Sequence, residues 1–156
     1  MSTQLDQAQR VALADDQVAL LINDVRVKHP DWSSDFCRRG VDQLVGFLAA
    51  CGVASEPLAP SAAVDEFWHC FILRTVPYAE FCDLIAGRFI HHIPEDERPH
   101  DPRLPRVANG NATRARTIEA ILTAGYDVDP EFWPELSANC NSKCTQCYQG
   151  CHDSPK

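Results

Sequence analysis

The chain has 156 residues, 45% of them hydrophobic, with 14 basic against 22 acidic side chains, a formal charge of −8 and a pI of about 5.1. That is enough chain for one ordinary core without disulfides, and with no basic cluster denser than Arg114-Ala-Arg116 nothing tracks a phosphate backbone, which excludes nucleic acid as a partner. No apolar stretch approaches the roughly 18–20 residues that cross a bilayer, so no membrane partner or span is predicted.

The N-terminal Met1–Arg10 has no basic segment leading into an apolar run and no small-residue cleavage site, so the expected location is a reducing cytoplasm. From about Leu5 to Lys28, Val11, Leu13, Val18, Leu20, Leu21, Ile22 and Val25 recur at approximately helical spacing. Pro30 stops that helix. A second helix starts near Ser33 or Ser34, carries Phe36, Val41, Leu44, Val45, Phe47 and Leu48, and is predicted to stop at Gly52. Ser55–Pro60 reads as a linker.

The third helix has the clearest signature: Ser61 caps it, and Val64, Phe67, Trp68, Phe71 and Ile72 form a core-facing stripe. Asp65 and His69, four apart, share one flank of that stripe. A fourth helix is predicted from about Pro77 to Ala86, with Gly87 as its left-handed stop and Tyr78, Phe81, Cys82 and Ile85 facing inward. Arg88–Pro94 alternates too briefly to be more than extended, and the charged, proline-rich stretch Glu95–Asn111 reads as a long exposed loop. A fifth helix spans about Thr113 to Ala124 and ends at Gly125. Asp129–Leu136 is predicted to form a single turn that docks Phe132 and Trp133 on the core.

The segment Val64-Asp-Glu-Phe-Trp-His69, followed by Tyr78-x-x-x-Cys82 and Gly87-x-x-x-x-His92, resembles the core V-D-x-x-W-H, Y-x-x-x-C, G-x-x-x-x-H of the glycine-rich domain-containing protein-like family, over roughly residues 61 to 94. The C-terminal cysteines look like those of its small bacterial members. The chain has no glycine-rich region, and the resemblance implies no biochemical activity.

Two readings of Asp65, His69 and His92 stand side by side. A carboxylate can orient one imidazole nitrogen and free the other to bind a metal or move a proton, which makes a site of His69 and His92 with Asp65 as orienter. Alternatively, Asp65 and His69 are a satisfied polar pair at the core edge. His91 neighbours His92 at the same glycine stop, and Cys82 reads as a small buried hydrophobe. Trp68, Tyr78 and Trp133 are expected in the core. Cys37 and Cys51, about 21 Å apart on one helix, cannot bridge. His29 and His100, beside prolines, carry no functional signal.

Half of the eight cysteines lie in a twelve-residue polar window, Cys140-x3-Cys144-x2-Cys147-x3-Cys151, followed by His152. Short spacers let thiolates converge on one soft ion or cluster. Zinc leads, because four thiolates or three plus an imidazole satisfy its tetrahedral preference, and an iron–sulfur cluster or iron is the alternative. A radical S-adenosylmethionine barrel cannot be built from so short a helical chain, c-type haem attachment lacks its histidine at Tyr148, and thioredoxin-like chemistry lacks its βαβ context.

The sequence thus predicts a mostly α protein: a compact helical domain of about five helices over residues 1–137, and a cysteine-rich metal-binding tail over residues 138–156. The expected function is cytoplasmic metal binding, with Cys140, Cys144, Cys147, Cys151 and His152 as tail ligands and His69 and His92 as a second candidate set. A metalloenzyme joining His69, His92 and tail cysteines, and a thiol redox or protein-interaction module with a protein partner, are the alternatives.

Overall fold

In the computed structural model, residues 10–93 and 110–136 are described; the cysteine tail and most of the predicted Glu95–Asn111 loop lie outside them. The architecture is mostly α, with α1 at Asp15–Lys28, α2 at Ser34–Val53, α3 at Ala62–Ile72, α4 at Thr75–Ala86 and α5 at Gly110–Thr123, and then a single 3-10 turn at Pro130–Phe132. No strand occurs among the described residues. No helix among them is long and apolar enough to cross a membrane.

Helix α2 is the centre of the packing and touches each of the other four helices. Its first turn is capped by Ser33, whose hydroxyl accepts from the Phe36 N–H at 3.0 Å. Ser61 does the same for α3, accepting from Val64 N–H at 3.1 Å. Most of the predicted inward residues of these helices are buried, including Leu44, Phe47, Leu48, Val64, Phe67 and Phe71, and so are Trp68, Tyr78 and Trp133, while Phe36 and Ile72 are half-buried against the core. At Gly40 α2 comes so close to α3 that an added Cβ would sit 2.2 Å from Phe67 Cζ.

Four boundaries differ from the sequence expectation, for tertiary reasons. Residues 10–14 are extended rather than helical: the Tyr126 hydroxyl donates to the Val11 carbonyl at 3.0 Å and Arg10 pairs with Asp127, which holds the stretch open until Asp15. Helix α2 runs through Gly52 to Val53. Gly52 is there for space, since a Cβ would lie 2.9 Å from that of Ala86 on α4. Helix α4 begins at Thr75, two residues before Pro77, with Arg74 at its N-cap anchored to Asp24 of α1 at 2.7 and 3.0 Å. Helix α5 begins at Gly110, where the Asn111 amide exchanges hydrogen bonds with Leu136.

The C-terminal segment is clasped to α2 as expected, and through a residue the sequence did not flag. Gln43, buried in the middle of α2, accepts from the Trp133 indole N–H at 2.9 Å and the Asp129 N–H at 3.1 Å, and donates to the Asp127 carbonyl at 3.3 Å. Phe132 stacks on Phe36, with ring centroids 4.5 Å apart.

Candidate metal centre

Asp65 lies in the first turn of α3, where a carboxylate is favoured by the helix dipole, and His69 follows one turn later on the same flank. His92 arrives from elsewhere. Gly87, at φ +68, ends α4 in the left-handed conformation that glycine adopts without strain. The chain then returns so that Ile90 is buried and the His92 ring lies 4.4 Å from that of Trp68.

The three side chains converge on one point. His92 Nε2 is 2.7 Å from Asp65 Oδ1 and 3.0 Å from His69 Nε2, while His69 Nε2 is 3.4 Å from Asp65 Oδ2. Asp65 therefore meets His92, 27 positions on, more closely than its own helical neighbour His69. A proton on His92 Nε2 would face both a carboxylate oxygen and an imidazole nitrogen, whereas a cation among the three would draw a lone pair from each side chain. Among the described residues these three form the group with metal-binding geometry. The Asp65 side chain is 9% exposed, that of His92 17% and that of His69 43%, so the cluster is rooted in the core and opens to solvent beside His69.

The remaining predicted residues are placed differently. His91 is exposed and turns edge-on to Phe89. Cys37, Cys70 and Cys82 are buried, Cys51 is half-buried, and no disulfide joins them. Burial pushes the Cys37 and Cys70 thiols up, which keeps them protonated and poor as ligands or nucleophiles. His29, given no role from sequence, stacks on Trp32 at 4.0 Å and pairs with Glu66 at 3.1 Å, so its role is to join α1 to α3. Cys140, Cys144, Cys147, Cys151, His152 and His100 lie outside the described residues.

A family model described as UCP032817-like matches residues 13–103, more than half of the chain. The chain belongs to the UCP032817-like family. This corrects the resemblance to the glycine-rich domain-containing protein-like family: the motif residues 61 to 94 on which it rested lie wholly inside the UCP032817-like match. V-D-x-x-W-H is the pattern of a capped amphipathic helix with two polar residues on one flank, and so short a pattern does not by itself assign a family. No curated protein and no solved structure matches the chain. The UCP032817-like span contains α1 to α4 and all of Asp65, His69 and His92, and it ends before the tail cysteines.

Proposed function

We propose that this protein binds a divalent transition-metal ion through Asp65, His69 and His92, with zinc as the first assignment and iron(II) as the alternative. The observation that supports this most is the convergence of the two Nε2 atoms and the Asp65 carboxylate, with closest approaches of 2.7 Å to Oδ1, 3.4 Å to Oδ2 and 3.0 Å between the nitrogens. An ion about 2.0–2.1 Å from each ligand needs them about 3.3 Å apart in a tetrahedral shell and about 2.9 Å apart in an octahedral one. Two imidazoles and one carboxylate fill only part of either shell, and the exposed His69 side leaves the rest to water or a substrate. An ion held this way has the open position that lets a metal activate water or polarise an oxygen, which is the specific support for the metalloenzyme reading.

The tail remains a second, separate metal-binding element in this proposal, supported by the spacing of Cys140, Cys144, Cys147 and Cys151 with His152 beside them. Unligated thiols persist best in a reducing compartment, so a cytoplasmic location fits this reading. Zinc analysis of anaerobically purified protein tests the whole reading by stoichiometry. The wild type is expected to hold two ions, His69→Ala and His92→Ala one each, and a chain with Cys140, Cys144, Cys147 and Cys151 all changed to serine one. A wild type with one ion that persists in both histidine variants would remove the core site. One ion lost in all three variants would instead merge core and tail into a single site.

A further inference from the structure

Resting on the metal-binding reading, we infer that Tyr78 is a positioning residue for the metal ligand His92, acting through the Ile90 carbonyl. Asp65 and His69 are held by the backbone of α3, but His92 belongs to residues 88–93, which form neither helix nor strand. Something else must fix the nitrogen of His92 to the fraction of an ångström that coordination requires. The Tyr78 hydroxyl, on a side chain wholly buried on α4, donates to the Ile90 carbonyl and accepts from the Trp68 indole N–H at 3.0 Å. Burial also pushes the Tyr78 phenol well up, which keeps it a donor across the physiological range.

Each link of this chain borders the site. Trp68 immediately precedes the ligand His69 in α3 and lays its ring against His92. Ile90 is two residues before His92 and is buried. Arg88 adds a second tie, donating to the Cys51 carbonyl near the end of α2 at 2.8 Å. The phenol thus couples the α3 ligands to the segment that supplies the third ligand, as partners behind a ligand commonly do, with effects of about 10–100-fold on metal affinity.

The test is cobalt(II) titration of the full chain with Cys140, Cys144, Cys147 and Cys151 all changed to serine, so that the visible spectrum reports the core site. Tyr78→Phe in this background is expected to weaken cobalt binding about tenfold or more and to alter the d–d bands. Phe132→Leu, which loosens the core at the α2 clasp, is the structural control. It is expected to lower the melting temperature and leave both affinity and spectrum unchanged. If Tyr78→Phe is too unstable to purify, Trp68→Phe, which removes the indole donor to the phenol, is expected to shift the bands in the same direction by a smaller amount. Wild-type affinity and spectrum in Tyr78→Phe, or in Trp68→Phe where that variant stands in, would overturn the positioning role while leaving the metal site standing. No cobalt binding by the parent chain would overturn both.

Discussion

The polar groups around Gln43 on α2 and those around Asp65 on α3 are both rooted in the core, and both tie a distant segment of chain to a helix. They differ in how their hydrogen-bonding capacity is used. At Gln43 the carbonyl oxygen has two N–H donors and the amide nitrogen has a carbonyl, so each polar atom of the amide has a partner of the opposite kind. At Asp65 two carboxylate oxygens and two imidazole nitrogens face one another across 2.7–3.4 Å with protons to be shared. A balanced group is what a structural clasp needs. A group whose lone pairs can converge suits a cation, and that contrast supports the proposed metal site.

Substitutions at the clasp should act on stability and leave metal affinity alone. Trp133→Ala removes a large buried ring and is expected to cost about 3–5 kcal/mol, read by chemical denaturation, with zinc affinity unchanged in molecules that remain folded. A similar loss of zinc binding there would erase the distinction between the two regions. Gln43→Leu keeps the bulk but strands the Trp133 and Asp129 N–H groups, and about 2 kcal/mol of destabilisation is expected. Gly40→Ala gains helix propensity of about 1 kcal/mol, but its Cβ meets the Phe67 ring, so a net loss of about 1–2 kcal/mol is expected. A raised melting temperature would mean that Phe67 can move aside.

At the triad the order reverses. Asp65→Asn preserves shape and a hydrogen bond to His92 but removes the charge, so the melting temperature without metal should move by only a few degrees while zinc affinity falls at least about tenfold, as calorimetry would read. Acid should act in the same direction. Imidazole binds a metal only when neutral, so zinc is expected to leave the triad as pH falls and to return as it rises. Binding that does not change with pH would argue that the histidines are not ligands.

The sequence carried the helices because caps and stripes are local: Ser33 and Ser61 cap as read, and Val64, Phe67, Trp68 and Phe71 are buried as their spacing implies. Gly52 misled because a glycine that ends a helix and one that lets two helices approach look alike in one dimension. The Val11 and Leu13 spacing fits a helix, but the Tyr126 and Asp127 contacts that keep the stretch extended come from over a hundred residues away. Asp65 and His69 were legible as an i, i+4 pair and His92 was named with them from the motif, but the contact itself depends on Gly87 and on the Tyr78 link to Ile90, which no periodicity encodes. Gln43 was passed over entirely. Its one signal is a polar residue in register with the inward stripe, seven after Phe36 and four before Phe47, the pattern of a buried group with assigned partners.

The claim that the triad is a cation site is tested most directly by a zinc-edge anomalous difference map from crystals grown with zinc. The account expects a peak within about 2.2 Å of a carboxylate oxygen of Asp65 and of the Nε2 atoms of His69 and His92. Zinc peaks elsewhere on the molecule with none at this position, and the His92–Asp65 hydrogen bond intact, would contradict it.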